Sequence, residues 1–170
     1  MKRQYTHRAT GLLLFLAIFL ATPSKPAAAQ DCTVSLFQEF LSGWSGDIPK
    51  LLTTVTDDVM YEDKTVGAVL HGKEELRKFA EGWFMAFPDL HFTLTSTLIS
   101  ISGNRAALEW VATGTQRGDM PGMAPASNKV ASVPGVSVAE CADGKIKHNA
   151  DYWDMATVMK QLGFLPPATH

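Results

Sequence analysis

The stretch Asp143–Gly163, D-G-K-I-K-H-N-A-D-Y-W-D-M-A-T-V-M-K-Q-L-G, contains a turn, a strand and a helix in succession. The dipeptide Asp143-Gly144 is a strong hairpin signal. The alternating residues Lys145–Trp153 predict the last strand of the chain. Helical spacing of apolar residues over Met155–Leu162 predicts a helix that ends at the following glycine. The segment therefore indicates a hairpin whose second strand runs directly into a helix.

Two carboxylates lie at this junction between strand and helix, Asp151 and Asp154. A strand that runs directly into a helix can hold such carboxylates at the end of a sheet, where they can take part in catalysis.

The N-terminus has the pattern of a secretory signal peptide. Lys2, Arg3 and Arg8 form a basic region, Gly11–Ala21 is apolar, and Ala27–Ala29 is a cleavage site of small residues. The apolar run is short for a membrane span, so an uncleaved anchor is the alternative. We therefore predict a signal peptide over residues 1–29 and a periplasmic or secreted protein.

The remaining chain, residues 30–170, has a length that suits one domain. Four of the 15 Lys and Arg residues lie in 1–29, which leaves 11 against 17 Asp and Glu, a formal charge of −6. Because no basic run remains, we do not expect a nucleic-acid partner. After cleavage of the signal peptide we expect no membrane contact.

Cys32 and Cys141 are the two cysteines of the chain. In an oxidising compartment they can form a disulfide, and two buried thiols are the alternative.

Helices are predicted in three further places. Ser35–Trp44 is amphipathic, and Asp47 caps a second, short helix with Pro49 in its first turn. A longer helix runs from about Lys73 to Phe87 and stops at Pro88.

Alternating apolar residues predict the other strands. Pro134-Gly135 suggests a bulge or an interrupted edge, and residues 117–129 are predicted to form a loop. These strands are Asp58–Asp63, Leu90–Ile101, Ala106–Thr115 and Val130–Glu140. Helices, one strand, a helix and then a run of strands predict an α+β domain, with helices packed on one face of a curved antiparallel sheet.

Several segments resemble the SnoaL-like polyketide cyclase (ester cyclase) family of the NTF2-like superfamily. They are the D-G-K-I turn, the aspartate-bearing strand and the Q-L-G helix end within Asp143–Gly163, together with Tyr61–Asp63, Gly72 followed by Leu76 and Phe79, Ala86–Leu90, and Gly135–Ser137. The resemblance implies the NTF2-like cone. It also implies a homodimer through the sheet, since such dimers are common in the superfamily.

The last strand departs from the family pattern. Relatives often carry His-Trp-Asp where this chain has Asn149-Ala150-Asp151, so a histidine-dependent proton relay is not expected. The predicted export also argues against a tailoring role in antibiotic synthesis, which acts on intracellular intermediates.

The resemblance implies that an aspartate at the end of this strand acts as acid or base, and Asp151 and Asp154 are the two candidates. Asp154 is also well placed as a helix N-cap, and the alternative for Asp151 is a solvated strand residue. A carboxylate serves as a base next to a carbonyl if an apolar pocket raises its pKa. His71, before the long helix, is a third catalytic candidate, with a surface loop position as its alternative.

Other side chains are candidates for ligand binding. Tyr61 and Asn149 are candidate hydrogen-bond donors to a ligand, and four aromatic residues are candidates for the cavity wall. For Tyr61 and for these four residues, the alternative is an ordinary position in the hydrophobic core. The four are Trp83, Phe84, Phe87 and Trp110. Met120 and Met123 suggest an adaptable lid, with a disordered loop as the alternative.

The histidines show no ligand spacing, and the chain has no P-loop, G-x-S-x-G or G-x-G-x-x-G motif. We therefore expect neither a metal nor a cofactor. Two hypotheses remain. One is a cofactor-independent cyclase, isomerase or lyase acting on a small apolar carbonyl compound, and the other is a non-catalytic module that binds a small apolar ligand or a partner.

Overall fold

The computed structural model describes residues 31–100, 102–120 and 122–166. The predicted signal peptide, residues 1–29, lies outside the described residues. Within them the chain forms four helices and six strands. In chain order they are α1 (Val34–Gly43), α2 (Ile48–Thr53), β1 (Val55–Asp63), β2 (Ala68–His71), α3 (Gly72–Ala86), β3 (His91–Ile99), β4 (Arg105–Thr115), β5 (Val130–Ala142), β6 (Lys145–Trp153) and α4 (Met155–Leu162).

The strands form one curved, unclosed sheet in the order β2-β1-β6-β5-β4-β3. The helices pack on it, α3 against β1, α1 against β3 and α4 against β5. This arrangement confirms the α+β prediction. One pair departs from the antiparallel expectation, because β1 and β6 run parallel. That pairing places the first strand of the chain beside the last.

Local sequence signals explain the helix ends. Asp47 caps α2, with Pro49 in the first turn, and Asp154 caps α4 by accepting a hydrogen bond from the Thr157 N–H. Gly163 ends α4 at φ 86°, a left-handed conformation that favours glycine. The predicted bounds of α4 and β6 agree with the structure.

The structure differs from the sequence prediction in two places. Ala68–His71 form β2, a four-residue edge strand that pairs with β1 and that the sequence did not predict. Of the two interpretations of Pro134-Gly135, a bulge or an interrupted edge, the bulge is wrong, because β5 pairs with β4 straight through it and the register shift lies between Glu140 and Cys141. Pro134 lies one residue beyond the last β5–β6 pair, where a strand tolerates proline.

Cys32 and Cys141 form a disulfide, with 5.3 Å between their Cα atoms, that joins the segment before α1 to the end of β5. The disulfide prediction is thus confirmed in the structure. None of the described helices is long and apolar enough to cross a membrane.

Candidate active site

Asp151 lies on β6, near the centre of the sheet, and is only 7% exposed. Its neighbour across the antiparallel pair is Ser137 on β5, and its neighbour across the parallel pair is Asp63 on β1. Residues two apart on a strand share a face, so Asn149 and Trp153 lie on the same face of β6 as Asp151. The sheet therefore gathers polar side chains from three strands.

Three hydrogen bonds hold the Asp151 carboxylate. Ser137 Oγ donates to Oδ1 at 2.6 Å and Asn149 Nδ2 donates to the same oxygen at 2.7 Å, while the Tyr61 hydroxyl donates to Oδ2. The Trp110 indole donates in turn to Ser137 Oγ at 2.8 Å. Because Ser137 accepts from Trp110, its own proton is directed to the carboxylate.

Burial raises the pKa of Asp151 to about 6, although the hydrogen bonds from Ser137, Tyr61 and Asn149 act to lower it. Desolvation disfavours the charged carboxylate, and the nearby Asp63 carboxylate adds to the upward shift. Burial also raises the pKa of Tyr61 well above its ordinary value, so Tyr61 stays a hydrogen-bond donor at neutral pH.

Asp63 is a second buried carboxylate of the same wall. The Trp153 indole donates to both of its oxygens, at 3.1 Å each, and the backbone N–H groups of Thr65 and Val66 donate to Oδ1. Burial raises the pKa of Asp63, although these hydrogen bonds oppose the shift. Asp63 therefore also anchors the turn between β1 and β2.

Eight aromatic rings surround these carboxylates, and we call them the aromatic belt. Neighbouring ring centroids lie 5.1 to 6.2 Å apart along the series Trp110, Phe92, Trp44, Tyr61, Phe79, Trp83 and Trp153, with Phe87 packed 6.0 Å from Trp83. Trp44 lies at the end of α1. Three rings come from α3 and the residue that ends it, and the strands supply the other four.

The aromatic belt and the two carboxylates line a cavity of about 80 Å³. Its other lining residues are small or aliphatic: Leu90, Ala112, Gly114, Ala131, Val133 and Val158. The cavity is thus apolar apart from its carboxylate wall, as small-molecule sites usually are.

Most of the predicted ligand-binding residues meet at this cavity. The cavity is lined by Tyr61, Trp83, Phe87 and Trp110. Asn149 is not a lining residue, but its side-chain amide donates to the Asp151 carboxylate. Phe84 packs edge-on against Trp44 and is not among the lining residues.

Asp154 and His71 lie away from the cavity. Asp154 is exposed, and its hydrogen bonds with Thr157 hold its pKa below the usual range, as suits a cap rather than a base. His71 is exposed at the N-terminus of α3, where its backbone N–H donates to Glu75 Oε2 at 2.7 Å. The structure therefore leaves Asp151 as the carboxylate of this strand end that reaches the cavity.

The loop over residues 117–129 does not contribute a described residue to the cavity wall. Met120 is buried, and Gln116 Nε2 donates to the Pro125 carbonyl at 3.0 Å, which fastens the loop. Neither Met120 nor Met123 lines the cavity, so the structure does not support the lid hypothesis for them.

Sequence reasoning missed six residues of the site: Asp63, Ser137, which donates to Asp151, and the rings of Trp44, Phe79, Phe92 and Trp153. The period of a strand offered a signal for two of them, because Asp63 lies two residues after Tyr61 and Trp153 lies two residues after Asp151. Trp44 was recognised only as part of the amphipathic face of the first helix. Within the described residues, no group of three or more His, Cys, Asp or Glu side chains could hold a metal ion.

A model of the SnoaL-like polyketide cyclase family matches residues 33–162. Comparison with curated proteins gives no match. Among solved structures, the chain is similar to a candidate SnoaL-like polyketide cyclase from Jannaschia sp. CCS1, with 21% identity, a TM-score of 0.69, and coverage of 85% of this chain and 99% of that chain.

Two further structures are similar. A protein with a ketosteroid isomerase-like fold from Catenulispora acidiphila DSM 44928, in complex with trimethylamine, is 22% identical, with a TM-score of 0.68 and coverage of 82% and 100%. TsrD from Streptomyces laurentii is 26% identical, with a TM-score of 0.68 and coverage of 77% and 94%. These likenesses confirm the NTF2-like fold that the sequence predicted.

Proposed function

Because the chain belongs to the SnoaL-like polyketide cyclase family, we propose that it catalyses a cofactor-independent cyclisation, isomerisation or lyase-type step on a small, mostly apolar carbonyl compound. One observation carries the proposal: a buried carboxylate, Asp151, lines an aromatic cavity with its pKa raised to about 6. A base whose pKa lies close to the working pH is both deprotonated and able to accept a proton from a weak acid.

In this proposal Asp151 removes a proton from the carbon next to the substrate carbonyl. The proton goes to the carboxylate, and the electron pair of the C–H bond moves to the carbonyl oxygen to give an enolate. Oδ1 accepts two hydrogen bonds and Oδ2 accepts one, so Oδ2 has the freer lone pair for the proton. The reaction is completed when Asp151 returns the proton to another carbon. In a cyclisation, the enolate carbon instead attacks a second carbonyl carbon of the same molecule, and the oxygen of that carbonyl takes the proton from Asp151.

Ser137, Asn149 and Tyr61 fix the orientation of the carboxylate in this scheme. Tyr61 was predicted as a hydrogen-bond donor to the ligand, but its hydroxyl donates to Asp151. Trp44 offers a donor instead, because it lines the cavity and its buried indole N–H has no hydrogen-bond partner among the residues that the structure describes. An N–H aimed at the developing oxyanion stabilises it in a site from which water is excluded.

Export is part of the proposal, on the strength of the N-terminal pattern described above. An exported enzyme would meet its substrate outside the cytoplasm, which separates it from relatives that act on intracellular intermediates.

Hydrogen exchange at carbon tests the base without knowledge of the final product. Small cyclic and aryl ketones incubated in D2O with the protein should lose the NMR signal of the protons next to the carbonyl. Asp151→Asn should slow this exchange by about 10²–10⁴-fold. The wild-type rate should rise with pH and level off above about pH 6, since the active form is the carboxylate.

Asp154→Asn is the matched control, because it makes the same chemical change three residues away at an exposed cap. Asn also caps helices well, so exchange should remain at the wild-type rate. Equal exchange rates in wild type and Asp151→Asn would contradict the proposed role of Asp151.

The non-catalytic hypothesis is favoured by a different observation. Three donors already occupy the Asp151 carboxylate, an arrangement that also suits a rigid polar anchor in the wall of a binding cavity. If ketones bind the wild-type protein but never exchange protons, a binding module is the better description.

A further inference from the structure

The cavity described above is lined by all four tryptophans of the chain, Trp44, Trp83, Trp110 and Trp153. Tryptophan has the most favourable ring face for a cation, followed by tyrosine and phenylalanine. The polar edges of Trp110 and Trp153 are already committed, one to Ser137 and one to Asp63. Trp110 and Trp153 can therefore contact a ligand only through their rings.

The charges in this wall are unbalanced. No Lys, Arg or His lines the cavity, and none of the ion pairs among the described residues includes Asp63 or Asp151. Buried charges in proteins are normally paired. Both carboxylates are instead held only by neutral donors from hydroxyl, amide, indole and backbone groups.

We propose that the cavity binds an organic ammonium group, held by the faces of the aromatic belt and by the negative charge of Asp63 and Asp151. If this ligand is the substrate, the substrate of the proposed reaction is a carbonyl compound that also carries an ammonium group. That part of the inference rests on the proposed function. The binding itself does not depend on catalysis.

This ligand class follows from the combination of rings and carboxylates. Aromatic rings alone accept any apolar ligand, whereas two buried carboxylates without a counter-ion repel carboxylate and phosphate groups. An ammonium group supplies the missing positive charge. It would also stabilise the enolate, because the negative charge of Asp151 moves onto the enolate oxygen when that carboxylate takes up the proton.

Three probes of nearly the same shape and different charge test the inference. They are choline, its neutral carbon isostere 3,3-dimethylbutan-1-ol, and the anion 3,3-dimethylbutanoate. Binding to the wild-type protein is measured at pH 7.5 through tryptophan fluorescence and calorimetry. Choline should bind roughly tenfold more tightly than the neutral isostere, and the anion should bind most weakly.

Asp63→Asn should weaken choline binding several-fold and leave the neutral probe unchanged. Glu109→Gln is the matched control, because it removes one negative charge from an exposed position on β4. Lowering the pH through about 6 protonates Asp151 and should weaken choline alone. Asp63 and Tyr61 are the other titratable groups that line the cavity, and protonation of Asp63 acts in the same direction.

Equal or tighter binding of the neutral isostere, or no binding of choline, would overturn the inference. That comparison uses the wild-type protein, so it holds even if Asp63→Asn fails to fold. Failure of the proposed function has a separate signature, namely choline preference without any ketone exchange. The reverse result, exchange that depends on Asp151 without choline preference, would leave the proposed function in place and remove the ammonium group from its substrate.

Discussion

At Asp151, burial and hydrogen bonding act on the pKa in opposite directions. Removal from water favours the neutral acid, while Ser137, Asn149 and Tyr61 donate to the carboxylate and favour the anion. Desolvation is the larger effect, and the pKa rises to about 6. A raised carboxyl pKa means that the folded protein holds the proton more tightly than the unfolded chain does.

The stability of the protein should depend on pH through this residue. Between the ordinary value of 3.8 and about 6, the unfolded chain releases the proton first, so the free energy of unfolding falls as pH rises, and it levels off above about 6. Relative to Asp151→Asn, the wild type should lose about 3 kcal/mol across this range, at 1.36 kcal/mol per pKa unit. Urea unfolding at pH 4, 5, 6 and 7 measures the difference, and parallel pH profiles for the two proteins would refute the prediction.

The Trp110 indole packs against the backbone of Gly135, where there is no room for a side chain. A Cβ atom at residue 135 would lie within 2.6 Å of Cζ3 of that ring, so Gly135→Ala must displace the ring and its hydrogen bond to Ser137. We expect a loss of about 1–3 kcal/mol in the free energy of unfolding, as for other overpacked cores. Denaturant titration measures it.

Gly82→Ala is the control, because Gly82 lies in α3 and a Cβ there would meet nothing within 4 Å. Alanine favours a helix over glycine, so this variant should gain up to about 1 kcal/mol. A Gly135→Ala protein as stable as the wild type would mean that the indole has room to move.

At the scale of elements, the disulfide ties the segment before α1 to β5 across 109 residues of sequence. A cross-link that closes such a long loop restricts the unfolded chain strongly. The double variant Cys32→Ser with Cys141→Ser should lose about 2–5 kcal/mol in the free energy of unfolding. Thermal and urea unfolding measure the loss, and peptide mapping without reductant identifies the linked peptides.

A reducing agent serves as the control for this prediction. It should lower the melting temperature of the wild type and leave that of the double variant unchanged. Equal melting temperatures for reduced and oxidised wild-type protein would contradict a stabilising disulfide.

At the scale of the whole molecule, the cone depends on the parallel pairing of β1 with β6, which brings Tyr61 and Asp63 beside Asn149 and Asp151. The helices close this wall with rings from Trp44, Phe79 and Trp83. The site is thus assembled from both ends of the chain and from its middle.

The processing of the chain is a prediction at this scale too. Intact-mass analysis of protein recovered from outside the cytoplasm of the producing cell should show a chain that begins at Gln30, because the small residues Ala27–Ala29 form the cleavage site. An exported protein that retains Met1 would refute it.

Much of the fold was predictable because its signals are local. Asp143-Gly144 marks the β5–β6 hairpin, and Asp47 and Asp154 cap helices as expected. The alternation of apolar residues also predicted β4, in which Leu108, Trp110 and Ala112 are buried. The errors lie where pairing partners decide the outcome: β2 exists because β1 lies beside it, and Gly135 is needed for the Trp110 ring rather than for a bulge.

The sequence by itself determined the order of the four helices and of every strand except β2, together with the family resemblance, since propensity and periodicity act over neighbouring residues. Only the tertiary structure decided which of Asp151 and Asp154 lines the cavity, since they are three positions apart in sequence but Asp151 is buried and Asp154 is an exposed cap. It also showed that Asp63 lines the same cavity. Burial and cross-strand hydrogen bonds determine the pKa and the role of a carboxylate, and both arise from residues far apart in the chain.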